Sequence, residues 1–161
     1  MKGIFFDEKD VCEQSSVSFD LDIKGLRYIK VLAEGTLNVK SGDSDKHIFL
    51  RLNDLTDKYN SVIVIDYDDK KMDHRTNGFC VGRSIHNKST QFCLEYAISL
   101  LGNKRMGQGV LVVQVDEGDA PQTPISFVSW ASLSDNAVIT KLSLDCEFGQ
   151  TFTGNMRLLL S

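Results

Sequence analysis

The chain has 161 residues, of which 42% are hydrophobic and 25% are charged, and its formal net charge is -4. A chain of this length can hold a core of its own, so we predict one domain over residues 1–161. Because the chain has no basic cluster and no apolar run near the roughly 18 residues of a membrane span, we expect neither nucleic acid nor membrane as a partner.

Short apolar runs separated by turn residues follow one another along the chain. Residues 17–24 alternate strictly between apolar and polar side chains, which is typical of a strand with one buried face. Residues 48–52 and 138–146 alternate in the same way, whereas residues 62–65 are continuously apolar. Further strands are predicted at 26–33, 79–81, 91–101, 110–115, 125–130, 150–153 and 156–160.

About ten short strands without a long helical pattern indicate an all-β domain, and we predict an antiparallel β-sandwich that is jelly-roll-like. Residues 91–101 also fit a helix, but the β-rich neighbours favour a strand. Residues 1–12 can form an N-terminal arm outside the sandwich, because Phe5 and Phe6 need a surface to pack against.

The four cysteines, Cys12, Cys80, Cys93 and Cys146, are widely spread and form no Cys-x-x-Cys pair. This spacing favours reduced, mostly buried side chains over disulfides or a metal site.

A charged stretch at residues 66–75 contains the ligand types that cations prefer. Asp66, Asp68, Asp69 and His74 could hold calcium or a transition metal. Their spacing matches no calcium loop, and two lysines follow Asp69 directly, so we favour a solvated loop. The sequence also lacks Gly-x-Ser-x-Gly and any distinguished pair of carboxylates. We therefore expect no enzymatic activity, no metal and no cofactor.

The only tryptophan, Trp130, lies in a predicted strand. In a small β-domain such a side chain more often packs within the fold than contacts a ligand. If it is exposed, Trp130 could stack on a sugar ring together with Tyr67 and Tyr96, with nearby aspartates binding hydroxyl groups.

Three stretches carry a resemblance to a known family. Residues 50–60 read Leu-Arg-Leu-Asn-Asp-Leu-Thr-Asp-Lys-Tyr-Asn, residues 129–144 contain Trp and then Ile-Thr-Lys-Leu-Ser-Leu, and residues 148–158 pair an aromatic residue with a glycine before the last strand. In this order they resemble small β-sandwich modules of tailed-bacteriophage virion proteins, among them minor structural and tail-associated proteins. Leu52 stands where that family usually has Phe, its glycine after the Asn is absent, and the usual Leu-Tyr-Gly-Ile ending is missing.

The resemblance covers residues 26–161 and implies a non-enzymatic virion protein of a tail, baseplate, head decoration or fibre. It implies oligomers and contacts with other virion proteins, and it supplies no catalytic residues. Asn53, Asp54, Thr56 and Tyr59 are therefore interpreted as the structure of one loop.

Two functions follow as expectations. The first is assembly into a virion within the host bacterial cytoplasm, with Phe5 and Phe6 docking on a neighbouring subunit; the short N-terminal apolar run, which does not suit a signal peptide, agrees with this compartment. The second is a lectin-like receptor-recognition module that binds a host surface glycan through Trp130, Tyr67 and Tyr96.

Overall fold

The computed structural model describes residues 4–39, 46–66, 71–84, 89–115, 123–147 and 149–161. Twelve strands and no helix are found in these ranges, so no described helix is long and apolar enough to cross a membrane. The strands are β1 (Phe5–Gln14), β2 (Ser16–Asp20), β3 (Tyr28–Val39), β4 (His47–Leu52), β5 (Tyr59–Asp66), β6 (Lys71–Arg75), β7 (Phe79–Arg83), β8 (Thr90–Ser99), β9 (Arg105–Val115), β10 (Ile125–Leu133), β11 (Lys141–Cys146) and β12 (Gln150–Leu160).

The strands form two antiparallel sheets that confirm the predicted β-sandwich. The large sheet has the order β1-β12-β3-β8-β9-β10-β5-β6, and the small sheet has the order β2-β11-β4-β7. Eight strands pair as nested partners: β1 with β12, β2 with β11, β3 with β8 and β4 with β7. Successive pairs alternate between the sheets, which is the jelly-roll arrangement. The hairpins β5–β6 and β9–β10 extend the large sheet beyond β8.

The core lies between the sheets because alternate residues of facing strands point inward. In β8, the even-numbered residues from Thr90 to Ile98 are buried and the intervening ones are more exposed. In β4, by contrast, nearly every residue is buried, since its outer face is also covered. The largest wholly buried side chains are aromatic: Tyr96, Phe19, Phe49, Phe79, Phe127 and Phe152.

The predicted number of strands, about ten, was lower than the twelve observed, because two strands lack the apolar pattern that indicates a strand. Residues 5–14 form β1, which pairs with β12 at the edge of the large sheet, so the described part of the predicted arm belongs to the sandwich. Residues 71–75 form β6 at the opposite edge, where a solvated loop was expected. The two predicted strands at 150–153 and 156–160 are one strand, β12.

The cysteines are free thiols, but the prediction that they are mostly buried was wrong. Only Cys80 is buried, Cys146 is half-buried, and Cys12 and Cys93 are exposed. Cys93 points outward because it alternates with the inward Phe92 and Leu94. Burial raises the pKa of Cys80 and of Cys146 to about 12, so neither thiol is ionised near neutral pH.

Thiol reactivity should follow this division. In the native protein we expect Cys12 and Cys93 to react rapidly with a disulfide reagent at neutral pH, the half-buried Cys146 to react slowly, and Cys80 to react only after denaturation. The thiolate is the reactive form, so burial and a raised pKa act together. Absorbance of the released thiol, with a Cys12→Ser variant to assign the phases, measures this. Four thiols reacting at one rate in the native state would contradict the described core.

Candidate functional site

The outer face of the large sheet carries a depression that we call the outer groove. Its principal residues are Tyr28 and Lys30 of β3, Glu95 of β8, Gln108 of β9, and Val128 and Trp130 of β10. The strand register places Lys30, Ala97, Gln108 and Trp130 in one row across four neighbouring strands. With adjacent strands about 4.8 Å apart, the two ends of this row are roughly 14 Å apart.

The shape of the groove follows from the sizes of the side chains in that row. Ala97 is short and stands between the longer Lys30 and Gln108, so the floor is lowest in the middle. Tyr28 and Trp130 stand at opposite sides and are 40% and 48% exposed. The depression has a volume of about 590 Å³. It is therefore open to a molecule longer than a single small ring system.

The polar groups of the groove are balanced in charge. Lys30 Nζ lies 2.7 Å from Glu95 Oε1, and the hydrogen bond to Glu95 is the main cause of the raised pKa of Lys30. Both side chains keep part of their surface in solvent, and the amide of Gln108 is exposed beside them. The groove thus presents an ammonium, a carboxylate and an amide without a net charge.

A second, smaller depression continues the groove along the same face. It has a volume of about 380 Å³ and shares Glu95 and Val110 with the outer groove. At its far side Arg157 Nη2 of β12 lies 3.3 Å from Glu34 Oε1 of β3. The two depressions therefore share one arrangement, in which an ion pair lies beside a floor of apolar side chains.

Trp130 lies on the solvent side of the sheet and is not a core residue, although the sequence favoured packing over ligand contact. In β10 the inward side chains are Phe127, Ser129, Ala131 and Leu133, and Trp130 alternates with them. Trp130 and Val128, both nearly half exposed, form an apolar strip on the outer face. The alternative of an exposed aromatic side chain is the one that holds.

Tyr96, in contrast, cannot contact a ligand, because it is wholly buried beneath the groove. Gly107 and Gly109 of β9 make room for its ring: a Cβ atom at Gly107 would lie 2.7 Å from the Tyr96 hydroxyl oxygen. Burial raises the pKa of Tyr96. Tyr96 is thus a core residue that supports the groove floor from below.

The remaining predicted aromatic contacts divide into three cases. Phe6 is half exposed on β1, facing outward beside its register partner Leu159. Phe5 lies in β1 opposite Leu160, but its side chain is outside the described residues. Tyr67 is also outside them.

The acidic stretch that could have held a cation is only partly described. Asp68 and Asp69 lie outside the described residues, while Asp66 ends β5 and His74 points outward from β6. Within the described ranges, no group of three or more His, Cys, Asp or Glu side chains is arranged to hold a metal ion.

A partly exposed polar cluster around the buried His47 could not be predicted from the sequence. His47 Nε2 lies 3.0 Å from Asp73 Oδ2, and Nδ1 lies 3.3 Å from Glu147 Oε2. Arg75 Nη2 is 2.9 Å from the same Asp73 oxygen. His47 belongs to the small sheet and Asp73 to the large sheet, so the cluster joins the two layers. Both ring nitrogens face carboxylates, which leaves neither free to activate a nucleophile.

The turn that ends β4 has a structural role, as predicted, and its Asn53 side chain bonds to the connection before β11. Asn53 and Asp54 both have positive φ, 52° and 56°, and Leu55 N donates to Leu52 O at 3.1 Å. The Asn53 side chain does not close its own turn. Its Oδ1 accepts from Thr140 N at 2.8 Å, and its Nδ2 donates to Val138 O at 2.8 Å. Two of the stretches that carry the phage resemblance therefore contact each other here.

Tyr59 completes this loop from inside the core. Leu52 N donates to the Tyr59 hydroxyl at 3.0 Å, and burial raises the pKa of Tyr59 to about 12. The hydroxyl thus satisfies a backbone donor at the end of β4 that would otherwise be buried without a partner.

No family model matches the chain. No curated protein matches it either.

Proposed function

We propose that this chain is a non-enzymatic structural protein of a tailed-bacteriophage virion, and that it assembles with copies of itself and with other virion proteins. Three ordered stretches of sequence resemble modules of such virion proteins. Jelly rolls serve widely as capsid and lectin domains, so the fold is compatible with this role without requiring it. Assembly in the host bacterial cytoplasm would keep the four free thiols reduced.

The observation that carries the proposal is an exposed apolar patch at the β1 edge of the large sheet. We call this the β1-edge patch, and it consists of the exposed Ile4 and Phe6 and the half-buried Leu159. Ile4 is 70% exposed and Phe6 is 50% exposed. Large apolar side chains grouped at a sheet edge are typical of a surface that a partner covers.

The rest of β1 is protected against uncontrolled strand pairing, which suits an ordered assembly. Its middle section carries Asp7, Glu8, Lys9 and Asp10. Charged side chains along an edge strand oppose addition of another strand. Lys9 Nζ also donates to Ser18 O at 2.5 Å, which occupies a carbonyl of β2, the edge strand of the small sheet. Docking is thereby confined to the apolar end of β1.

Changing Phe6 tests the proposal directly. Phe6→Ser should weaken self-association about tenfold or more, because truncating a central aromatic contact typically costs about 1.4 kcal/mol or more. Sedimentation velocity over a concentration series measures the association constant. The free energy of unfolding should change by less than about 1 kcal/mol, since the side chain is half exposed.

Val138→Ser is the matched control, because Val138 is 81% exposed but lies in the connection between β10 and β11. It should leave self-association unchanged. If Phe6→Ser and Val138→Ser associate equally well, the β1-edge patch is not the assembly surface.

A further inference from the structure

The geometry points to the outer groove as a binding site for neutral oligosaccharides, and we propose it as the receptor-recognition surface of this chain. This inference goes beyond assembly and does not depend on it, because Phe6 of the β1-edge patch and Trp130 of the groove lie on strands separated by four others in the large sheet. The two surfaces approach each other only where Leu159 of the patch pairs with Lys30 of the groove.

Two aromatic side chains, Trp130 and Tyr28, line the outer groove. A sugar ring has an apolar face of C–H groups that stacks on an aromatic ring. Trp130 and Tyr28 are both exposed and stand on either side of the groove. The row of strands between them spans roughly 14 Å, so a chain of several sugars can contact both rings where a monosaccharide cannot.

A set of polar groups lies between the two aromatic rings of the groove. Sugar hydroxyl groups both donate and accept hydrogen bonds, and the groove offers both functions. Lys30 donates, Glu95 accepts, and the exposed amide of Gln108 can do either. Because Lys30 and Glu95 neutralise each other at 2.7 Å, the groove favours an uncharged ligand over a sialylated or sulfated one.

The Lys30–Glu95 ion pair in the groove favours a glycan over a protein as the ligand. The centre of a protein–protein interface is depleted of charged residues. Here the Lys30–Glu95 pair lies within the depression, where a flat apolar partner would bury it. Burying such a pair costs free energy unless new hydrogen bonds compensate. Sugar hydroxyl groups can supply these bonds while keeping the pair hydrated.

The test begins with a glycan array carrying neutral, sialylated and sulfated oligosaccharides, probed with the purified full chain. We expect binding to a subset of the neutral oligosaccharides. The best of them is then titrated by calorimetry against the native chain and its variants. Trp130→Ala should lose at least tenfold in affinity, Trp130→Phe less, and Gln108→Ala several-fold. Val138→Ala, at an exposed residue outside the groove, should bind like the native chain.

Several results would overturn the proposal. One is an array on which the native chain binds no neutral oligosaccharide, and another is binding that survives Trp130→Ala in a protein with a native circular dichroism spectrum. Binding restricted to sialylated or sulfated glycans would place an anion site elsewhere. If Trp130→Ala instead reduces the oligomeric mass, the groove is a subunit interface. Phe6→Ser should leave the calorimetric affinity unchanged, which separates this site from assembly.

Discussion

Gly35→Ala is expected to destabilise the protein by at least about 3 kcal/mol, a large part of the stability of an ordinary domain. Gly35 of β3 and Gly154 of β12 are directly opposite each other, with φ of 149° and 153°. A Cβ atom at Gly35 would overlap the carbonyl oxygen of Thr153 and lie 2.7 Å from the Gly154 Cα. Because the neighbouring atoms are backbone, they cannot move aside as a flexible side chain would. Urea denaturation followed by circular dichroism measures the loss.

Gly102→Ala is the control that isolates steric overlap from backbone strain. Gly102 also has a positive φ, 83°, but a Cβ atom there would have no neighbour within 4 Å. We expect it to cost about 1–2 kcal/mol, the usual penalty for a left-handed residue with a side chain. Equal losses in the two variants would show that β3 and β12 do not approach each other as closely as described.

The second large effect is expected at Asn53. Asn53→Ala should reduce the free energy of unfolding by about 2–4 kcal/mol, because it removes the bonds to Val138, Thr140 and Lys141 and places alanine at a φ of 52°. The loop 134–140 would then lose its attachment to the end of β4. Denaturation monitored by the fluorescence of Trp130, the only tryptophan, gives the magnitude.

Two further variants separate the two causes. Asn53→Gly removes the side-chain bonds but tolerates the backbone conformation, so it should cost less than alanine. Asn53→Asp keeps the acceptor for Thr140 N and loses only the donor to Val138 O, so it should cost least. If alanine and aspartate are equally harmful, the side-chain bonds do not stabilise the loop.

The fold class was predictable because alternation reports which residues share a face of a strand. Residues 48–52, 62–65 and 138–146 were predicted as strands and lie in β4, β5 and β11 or the connection just before it. Tyr96 could also have been placed correctly, since it follows Phe92 and Leu94 at intervals of two and must point the same way.

The misplaced elements share one physical cause, which is that alternation does not say which face is covered. β10 has apolar residues on both faces: Phe127, Ala131 and Leu133 inward, and Val128 and Trp130 outward. Only the position of the second sheet decides between them. β6 fails differently, because Asp73 and Arg75 point to a polar cluster around His47 and leave no apolar signal.

The outer groove could not be predicted from the sequence, because its residues come from four strands that are separated along the chain. Lys30 and Trp130 are brought into one row only by the order β3-β8-β9-β10. The hairpin β9–β10, which extends the large sheet beyond β8, supplies Gln108 and Trp130. Topology therefore determines the site, and the sequence supplied only one of its aromatic residues, Trp130, as a candidate.

We expect the chain to assemble with itself, and its absolute mass in solution tests this most directly. Multi-angle light scattering of the purified chain over a concentration series should give a closed oligomer, a whole multiple of the 18.0 kDa chain, that persists on dilution. Phe6→Ser should shift the mass toward that of one chain. A native protein with the mass of a single chain at every concentration would contradict self-assembly through the β1-edge patch.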